Sequence, residues 1–492
     1  MSTDMNRRTF LKGTALGAAS LSLVGLFGCS GYKDADEART VPEARDVDIV
    51  VIGSGGAGLT AAVAAYDAGA TNVVVLEKMV VVGGNTMHSS SGMNASETAA
   101  QKAAGIEDSN ELFIEDTFKG GHDVGQMDLI TYMCDNSNNA IEWLAANGIV
   151  LDNLAKMGGA SVTRCHRPTD GSAVGLTLIP GLHDNCISRG IEVATSARVV
   201  DMLGDENGVT GVICEAESGE QTQYNCKAVI IATGGFGANR EWIAKYDPDI
   251  ADFPTTNTPG STGDGIALAQ QLGAGVIDME YIQTHPTVEQ TTSTLVAEAI
   301  RGSGAILVNA EGNRFFNEEG TRDAVSQAEL EQPGKFAWCV FDQAVFDKNK
   351  TCAKYQRRGL TKSSDTLAGL AAELEIDAAA FQATVDTWNA IVRGEAKDEF
   401  GRAPQSTVTP IEAANYYAVK IAPGIHHTMG GVRVNTEACV LTDDGTPIPG
   451  LYAAGEVTGG LHGSNRLGGN AVCDIVVNGL NAGKHAAAYV QA

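Results

Sequence analysis

The sequence lacks the motifs by which most metal and haem proteins are recognised. Its 492 residues include ten cysteines, but none are spaced as C-x-x-C or C-x-x-C-H, and their scattered positions give no disulfide framework. Signatures of zinc ribbons, cysteine-held clusters and covalent c-type haem are therefore absent, and we expect no metal site. Basic residues are also few, with 34 Lys and Arg against 60 Asp and Glu, for a formal net charge of −26. That acidity argues against a nucleic-acid partner and against electrostatic docking on an anionic membrane.

A hydrophobic run of transmembrane length is missing as well. The apolar stretch Gly13–Gly28 is short for a membrane span, and the sequence NRRTFLK, with Arg7 and Arg8, precedes it. This twin-arginine pattern predicts export of a folded protein, so we expect residues 1–29 to be a signal and residues 30–45 a polar linker. Cys29 follows Leu-Phe-Gly, close to a lipoprotein cleavage box, so lipid attachment at Cys29 and simple cleavage nearby both stay open. We expect an extracytoplasmic protein, in the periplasm or on the outer face of the cytoplasmic membrane, with a lipid anchor as its one link to the membrane.

What is present is a nucleotide-binding pattern. The apolar run Ile49–Ile52 predicts a strand buried on both faces, and the Ala-rich stretch Leu59–Asp67 predicts a helix. Between them three glycines fall at G-x-G-x-x-G spacing, namely Gly53, Gly55 and Gly58. A second strand, Val73–Leu76, delivers Glu77 nineteen residues after the last of these glycines, where a Rossmann unit places an acid on a ribose hydroxyl. Together these elements predict a bound dinucleotide, with its pyrophosphate at the helix start.

The rest of the chain predicts two domains, the second inserted into the first. Helices are expected at Asp128–Asn147 and Gly171–Arg189, followed by strands near residues 192–203, 209–216 and 221–231. After residue 279 the pattern changes to hairpins, such as residues 305–316, and to helices near residues 365–375 and 377–393. The last segment, residues 428–492, again has a strand pattern, which ends at Gly455-Glu456. An acid at this place, after an apolar strand, is suited to bind the ribityl chain of a flavin.

These patterns predict an α/β protein with a Rossmann-type FAD-binding domain built on a parallel sheet. We assign residues 46–279 and 426–492 to that domain and residues 280–425 to an inserted α+β domain. The long insertion between the glycine pattern and the C-terminal return favours FAD over NAD, whose domain is usually contiguous.

Three clusters of polar residues can do chemistry. The first holds His285, Glu298 and Arg301, the second Arg322 beside Asp323, and the third His426, His427 and Arg466 among glycines. Arginine and histidine in such loops form a cationic surface suited to a small anion. Two simpler alternatives stay open, a surface ion pair between Arg322 and Asp323 and a turn histidine at position 285. A functional role is favoured for the third cluster, because its residues flank the presumed flavin strand.

With these residues in view, the chain closely resembles the soluble fumarate reductases of the flavocytochrome c type and related enoate reductases such as urocanate reductase. The resemblance runs from about residue 46 to residue 489 and rests on GSGGAG, GGASVTRCHRPT, ATGGFG, EAIRG, NRFFNE with TRD, HHTMGGV and GLYAAGEVTGGLHGSNRLGGNA. It implies non-covalent FAD beneath an inserted capping, or clamp, domain. The FAD contacts we predict are Gly53, Gly55, Gly56, Ala57, Gly58, Glu77, Lys78, Gly84, Asn85, Thr86, Ser91, Gly92, Val199, Thr233, Gly234, Asp264, His427, Glu456, Gly469, Ala471 and Val472.

The resemblance also implies a reaction, hydride transfer from flavin N5 to the β-carbon of an α,β-unsaturated acid and proton delivery to its α-carbon. It implies Arg322 as proton donor and Glu298 and Arg301 as the relay that reprotonates it. The implied carboxylate contacts are His285, His426 and Arg466, of which His426 and Arg466 are expected to act as fixed cations. Fumarate reductases carry Met and Thr at two substrate-side positions where this chain has Leu295 and Ala297, so the identity of the acid stays open.

Electrons are expected from a separate redox protein, a cytochrome or an FMN protein, because the haem motifs and FMN domain of some relatives are missing from the sequence. The role expected is that of a terminal reductase in anaerobic respiration. Two other functions are open, a flavin dehydrogenase that oxidises a steroid or an amino acid, and a flavin electron carrier without turnover. The arginines and histidines favour a carboxylate and its reduction, and a carrier needs no proton donor.

Overall fold

The computed structural model describes residues 43–403 and 408–492, so the predicted signal, Cys29 and most of the predicted linker lie outside the described residues. Its strands are β1 (Glu43–Asp46), β2 (Ile49–Ile52), β3 (Val73–Leu76), β4 (Met93–Asn94), β5 (Leu151–Ala155), β6 (Cys165–Pro168), β7 (Glu192–Ala194), β8 (Ala197–Asp205), β9 (Gly208–Ala216), β10 (Gln221–Asn225), β11 (Ala228–Ile231), β12 (Val276–Ile277), β13 (Ile282–Glu289), β14 (Thr294–Leu295), β15 (Ile306–Val308), β16 (Ala337–Asp342), β17 (Thr361–Ser364), β18 (Tyr416–Thr428), β19 (Gly431–Val432), β20 (Cys439–Leu441) and β21 (Pro447–Ala453). Its helices are α1 (Gly56–Asp67), α2 (Ala99–Ala103), α3 (Asn110–Gly120), α4 (Met127–Asp135), α5 (Ser137–Ala146), α6 (Gly175–Ser188), α7 (Arg240–Tyr246), α8 (Asp264–Gln271), α9 (Glu298–Gly302), α10 (Arg322–Leu330), α11 (Gln343–Lys348), α12 (Lys350–Arg357), α13 (Leu367–Leu374), α14 (Ala378–Val392) and α15 (Asn470–Gln491). Short 3₁₀ turns lie at Gly84–His88, Pro248–Ile250 and Pro333–Lys335. None of the helices in the described ranges is long and apolar enough to cross a membrane.

The nucleotide-binding pattern forms the centre of a six-stranded sheet of order β20-β21-β11-β2-β3-β7. Strand β2 pairs in parallel with β11 on one side and with β3 on the other, and β21 and β7 extend the parallel part. Strands β2, β3 and β11 are buried along their whole length, as their continuous apolar sequences predict. This sheet, with α1 between β2 and β3, confirms the predicted α/β class and its Rossmann-type arrangement.

Helices α1 and α15 pack closely in the core on one side of this sheet. A methyl group at Gly479 would lie 2.8 Å from the carbonyl oxygen of Ala57, and one at Gly483 would lie 2.4 Å from that of Ala61. These two glycines of α15 therefore let the helix backbones approach each other. The last helix thereby fixes α1, whose first residues face the nucleotide groove.

The helix predicted for Asp128–Asn147 is in fact two helices, α4 and α5. Asn136, which lies between them, has a φ of −98°, and its side-chain amide donates to the carbonyl of Tyr132 at 2.8 Å. A side chain that bonds the local backbone in this way competes with the helical ladder. Gly148, with a φ of 78°, follows the second helix at the position predicted for its stop.

Two of the three strands predicted for residues 192–231 divide between two sheets. The first becomes β7 in the parallel sheet and β8 in an antiparallel sheet of order β1-β10-β9-β8, with Ser196 at a φ of 52° in the break. The third becomes β10 in the four-stranded sheet and β11 in the parallel one. Both sheets favour the same β-branched residues, so the sequence pattern could not show where the chain crosses between them.

The hairpin predicted for residues 305–316 is a strand followed by a loop. Strand β15 pairs with β16, and the returning chain makes a single bridge between Val308 and Arg314. The side chain of Asn309 closes the turn by accepting the backbone N–H groups of Glu311 and Asn313, both at 3.0 Å. Arg314 is instead bound by Glu318 and Asp398, so its side chain serves an ion-pair network.

The inserted part of the chain builds its own sheet, of order β14-β13-β18-β16-β15, with β17 also paired to β18. Two apolar cores involving residues of α10 to α14 pack against it, which confirms an inserted α+β unit over the FAD-binding fold. Strand β18 begins against β16 and continues against β13, two strands of the inserted unit. It runs through the boundary predicted between residues 425 and 426, and its end bonds Glu456 of the FAD-binding part through the N–H of Thr428.

Candidate active site

The turn between β2 and α1 forms one wall of a groove at the carboxyl ends of the parallel strands. Gly53 has a φ of 103°, and a methyl group there would lie 2.4 Å from the carbonyl oxygen of Ala232. A methyl group at Gly58 would lie 1.9 Å from the carbonyl oxygen of Gly53, so this glycine serves helix-to-strand packing and does not line the groove. Gly55 and Gly56 do line it, at a helix start whose dipole favours an anion.

This first groove, of about 850 Å³, brings most of the predicted FAD contacts together. They are Gly53, Gly55, Gly56, Ala57, Glu77, Lys78, Gly84, Asn85, Thr86, Val199, Thr233, Gly234, Asp264 and Glu456. Glu77 is fixed at the end of β3, because its carboxylate accepts the N–H and hydroxyl of Ser54 at 2.9 and 2.7 Å and the N–H of Met79 at 2.8 Å. Lys78 is held by Thr262 at 2.6 Å and by Asp264 at 3.2 Å.

A second groove, of about 940 Å³, continues from the first and shares Asn85, Thr86, Glu456 and Ile475 with it. The remaining predicted contacts line this second groove, namely Ser91, Gly92, His427, Gly469, Ala471 and Val472. Asn85 connects the walls, since its amide donates to Asn257 at 2.6 Å and accepts the N–H of Thr258 at 2.8 Å.

The paired grooves fit FAD, an extended dinucleotide with a flavin at one end. The first groove offers the glycine turn, the helix start and the Glu77 carboxylate. The second offers buried polar atoms without a partner in the protein, Nε2 of His427 and Nε of Arg466. Because such atoms are costly unless a ligand takes them up, they point to a polar molecule in this space. Burial also raises the pKa of Glu456, whose Oε1 accepts the N–H of Thr428 at 3.1 Å.

Arg322, the first residue of α10, lies on the wall of the second groove and binds Glu298. Its Nε and Nη2 both donate to Oε2 of Glu298, at 3.2 and 2.9 Å. Burial alone would raise the pKa of Glu298, but the charges of Arg322 and Arg301 outweigh it and hold the pKa at about 2. The structure thus excludes the surface pair with Asp323, which instead lies 2.7 Å from a ring nitrogen of His122.

Gln283 holds the two arginines of the second groove together. Its Oε1 accepts Nη1 of Arg322 at 3.1 Å and Nη2 of Arg466 at 3.3 Å. Its amide nitrogen donates to Oδ1 of Asn465 at 2.7 Å and to the carbonyl of Arg466 at 2.8 Å. Burial, aided by the charge of Arg322, lowers the pKa of Arg466 to about 9. The sequence analysis gave Gln283 no role, although it stands two residues before His285 on β13, a spacing that puts both on one face of a strand.

His285 and His426 lie beside the arginines, with ring centroids 5.1 Å apart. Burial, together with the charge of Arg322, lowers the pKa of both well below the usual value, so both rings are neutral at neutral pH. The N–H of Thr287 donates to Nδ1 of His285 at 3.2 Å, which leaves the buried Nε2–H without a partner. His285 therefore makes the turn bond and still presents a donor. In this state no carboxylate lies close enough to His426 to offset its burial, so the ring offers a neutral N–H, and its role as a fixed cation stays a prediction.

Arg301 does not line the second groove. Its Nη1 donates to the carbonyl of Glu318 at 2.6 Å, and its side chain borders a third cavity. No hydrogen bond joins Arg301 to Glu298 within the described ranges, so Arg301 acts on the Glu298 pKa through its charge.

The two positions that depart from fumarate reductases differ in exposure to the site. Leu295 lines the second groove, whereas Ala297 is buried and is not part of its lining. The hydroxyl of Tyr355 accepts the N–H of Ala297 at 3.0 Å and donates to the carbonyl of Leu295 at 3.1 Å. Tyr355 therefore fixes the backbone of residues 295–297. The side chain that this segment presents to the groove is the apolar one of Leu295.

Other residues of the grooves carried no recognisable signal in the sequence. They include Arg198 and Ser261 in the first groove and Thr256 and Asp474 in the second. Thr256 Oγ1 lies 2.7 Å from Nδ1 of His426, and Asp474 lies 3.3 Å from Nε2 of His462. In the part of the chain that the structure describes, no group of three or more His, Cys, Asp or Glu residues can hold a metal ion, and the nine cysteines there are free thiols.

Comparisons with known proteins agree with this site. The family model described as FAD binding domain matches residues 48–472. The chain is 48% identical over 453 residues to the NADH:fumarate oxidoreductase of Klebsiella pneumoniae (strain 342). The aligned region covers 92% of this chain and 49% of that relative. It is 44% identical over 444 residues to a fumarate reductase (cytochrome) of Shewanella frigidimarina, covering 90% of this chain and 77% of that one. A solved structure, the open conformation of a flavocytochrome c3 fumarate reductase, matches with a TM-score of 0.78 and 39% identity over 100% of this chain and 82% of that chain. The chain thus spans about half the length of the Klebsiella relative.

Proposed function

Since the chain belongs to the family of the soluble fumarate reductase flavoproteins and is an FAD-dependent oxidoreductase of CH–CH groups, we propose that it reduces the double bond of a small α,β-unsaturated carboxylate. The observation that carries the proposal is that Oε1 of Gln283 accepts hydrogen bonds from both Arg322 and Arg466 and so keeps the two guanidinium groups close together. One guanidinium is paired with a carboxylate, and the other has an Nε without a partner. Such a pair suits a substrate with one carboxylate to bind and one carbon to protonate.

FAD supplies the hydride when it is bound. Arg466 and a ring N–H of His426 hold the substrate carboxylate, and the charge of Arg466 stabilises the negative charge that grows there during reduction. Arg322 gives a proton to the α-carbon, and Glu298, whose Oε2 lies 2.9 Å from Nη2 of Arg322, returns one. Arginine holds its proton tightly, so this step depends on the close placement of Glu298 beside Arg322.

The wall formed by Leu295 favours an acid with one carboxylate and a less charged tail. A groove that presents an apolar side chain offers no hydrogen bond to a second carboxylate, although Nε2–H of His285 remains available. An aryl acrylate is therefore our preferred substrate class. Fumarate, which both relatives carry in their names, is the alternative.

The cellular setting follows from the sequence alone. Export through the twin-arginine signal, non-covalent binding of FAD and a terminal role in anaerobic respiration are parts of the proposal. The electron donor is a separate cytochrome or FMN protein, for which the acidic surface favours a basic partner. Brisk turnover with NADH would contradict the separate donor, and flavin that stays with acid-precipitated protein would contradict non-covalent binding.

The proposed function is tested by a viologen-linked screen of enoic acids on the purified protein. We expect reduced methyl viologen to be consumed with cinnamate, with fumarate or with both, and the saturated acid to accumulate. A protein that binds FAD but reduces no acid of the panel would favour an electron carrier. Reduction of an artificial acceptor by a steroid or an amino acid would favour a dehydrogenase.

A further inference from the structure

The third cavity, of about 990 Å³ with its solvent-open part included, adjoins the second groove at Glu298. Glu298 and Ser91 are the two residues that border both spaces. The Oε2 of Glu298 binds Arg322, whereas a methyl group at Gly158, on the cavity wall, would lie 3.1 Å from its Oε1. One carboxylate therefore faces the arginine of the groove with one oxygen and the cavity with the other.

The walls of this cavity are suited to water. Four glycines at positions 158, 159, 302 and 401 leave room, and charged groups of both signs surround the space. A polar cavity of this size holds ordered water, and water chains carry protons between titratable groups.

Three acids border the cavity, and they differ in their partners. Glu298 is bound by Arg322, and Glu318 is bound by Arg314 at 2.7 Å and by Arg402 at 2.9 Å. Glu319 makes no such bond, because its closest cation is Arg402 at 3.7 Å and its buried Oε1 has no hydrogen-bond partner. Glu319 is thus the one acid among the residues that line this cavity to which no arginine side chain donates a hydrogen bond.

The surroundings of Glu319 favour its protonated form more than those of the other two acids do. Burial raises its pKa and so does the charge of Glu318, while Arg402, Lys156 and Arg301 oppose the rise. By contrast, arginines lower the pKa of Glu298 and of Glu318 in spite of their burial.

The position of Glu319 also connects solvent with the relay. Its side chain is 26% exposed, although Oε1 is buried. A methyl group at Gly158 would lie 3.1 Å from Oε1 of Glu298 and 3.3 Å from the backbone carbonyl oxygen of Glu319, so one glycine lies between Glu298 and the backbone of residue 319, and both acids border the same cavity.

We propose that Glu319 collects protons from solvent and passes them through the third cavity to Glu298, a step that rests on the proposed function. Glu319 gives one proton to the water of the cavity, and Oε1 of Glu298 takes one up. The Glu298 carboxyl group then rotates so that its protonated oxygen faces Nη2 of Arg322 and gives its proton to that nitrogen, which has lost one to the substrate, and solvent reprotonates Glu319. One proton enters for each double bond reduced, and no electrons move in the relay.

The test compares Glu319→Gln and Glu319→Ala with wild type and with Glu331→Gln, an exposed glutamate outside the cavity. Turnover of fumarate and of cinnamate is measured with reduced methyl viologen between about pH 6 and pH 9. We expect Glu319→Gln to lower kcat by about tenfold at high pH and by less at low pH, where solvent supplies protons directly, with KM and FAD content unchanged. The solvent isotope effect on kcat should rise, and Glu319→Asp should restore part of the rate.

Chemical rescue separates a proton carrier from a structural residue. Imidazole buffer should raise kcat of Glu319→Ala in proportion to its concentration and should leave wild type and Glu331→Gln unchanged. A pH profile of Glu319→Gln that matches wild type, or a rate loss without rescue and with equal loss of FAD, would overturn the inference. If wild type reduces neither acid, the proposed function fails instead.

Discussion

Arg322 and Glu298 form a buried ion pair, which is costly to break. Removing one partner of such a pair typically costs 3–5 kcal/mol, as a rough guide, because the other charge stays buried. Gln283 adds a third contact to the arginine and links it to Arg466. The geometry of the arginines therefore depends on neutral and acidic neighbours as much as on the arginines themselves.

Replacing Arg322 tests its role as proton donor. We expect Arg322→Ala to keep its FAD and its reduction by viologen, but to lose turnover by roughly three orders of magnitude, because no acid remains within reach of the α-carbon. Asp323→Ala is the matched control on the next residue, since Asp323 contacts His122 on the surface. Near-normal turnover of Arg322→Ala would assign the proton to another group.

Glu329 predicts a pH-dependent stability that is independent of turnover. It is fully buried on α10, both of its oxygens lack a partner, and burial raises its pKa well above the usual value. The folded protein therefore keeps this proton as pH rises, while the unfolded chain loses it above about pH 4.3. Stability from this group is complete below that pH and falls by about 1.4 kcal/mol per pH unit until the folded pKa is reached.

Glu329→Gln removes this titration. We expect the free energy of unfolding of the variant, relative to wild type, to increase from about pH 5 to pH 8, by at most about 1.4 kcal/mol per pH unit. Urea unfolding at several pH values measures the difference, with Glu331→Gln as the exposed control on the same part of the chain. A difference that does not change with pH would mean that Glu329 is ionised in the folded protein.

At the scale of elements, the turn from β2 to α1 depends on backbone that a side chain would block. Gly53→Ala adds both a strained φ and a contact of 2.4 Å with the carbonyl of Ala232. Gly105→Ala is the matched control, because its φ of 69° is also positive but nothing lies within 4 Å of the added methyl. We expect Gly53→Ala to weaken FAD binding by at least about tenfold and Gly105→Ala to cost only about 1–2 kcal/mol of stability. The ratio of flavin to protein after purification, and titration of the apoprotein with FAD, measure the effect, and equal losses in both variants would contradict it.

The segment from β14 to α9 is expected to set substrate choice. Leu295→Thr replaces the apolar side chain on the groove wall by one with a hydroxyl, and one hydrogen bond to a charged carboxylate contributes roughly 1.5–3 kcal/mol. We therefore expect the ratio of kcat/KM for fumarate to kcat/KM for cinnamate to rise by about ten- to a hundredfold. Ala297→Thr, which adds a hydroxyl to the same segment but outside the lining of the groove, is the control. If fumarate is already the best substrate of wild type, the argument from Leu295 is wrong.

The parts of the structure that could be predicted from the sequence are those whose residues lie close together in the chain and also form the binding site. The continuous apolar strands β2 and β3, the glycines between them and Glu77 are local, and all lie in the structure at the expected places. The division of residues 192–231 between two sheets and the break at Asn136 depend on tertiary packing and on one side-chain bond. Gln283 was missed because a neutral amide carries no charge signal, and the neutral state of His426 depends on burial that no sequence pattern reports.

At the scale of the whole molecule, the FAD-binding part and the inserted part meet at the reacting groups. Glu298 and Arg322 come from the inserted part and Arg466 from the C-terminal part. His426 lies near the end of β18, the strand whose last residue, Thr428, bonds Glu456 of the FAD-binding part. The site is therefore complete only when both parts are packed together, and its cations are brought close by Gln283 at their junction. A protein organised in this way binds its cofactor and its acid between two units of one chain.

The central claim is that this junction reduces an enoic acid with electrons held on FAD. Its most direct test is an anaerobic stopped-flow experiment in which the protein, reduced by a limiting amount of viologen, is mixed with cinnamate or fumarate. The account predicts that the absorbance of oxidised flavin returns with one equivalent of acid per FAD, and that succinate or phenylpropionate leaves it unchanged. Flavin that stays reduced in the presence of every enoic acid tested, in protein that carries a full complement of FAD, would contradict the account.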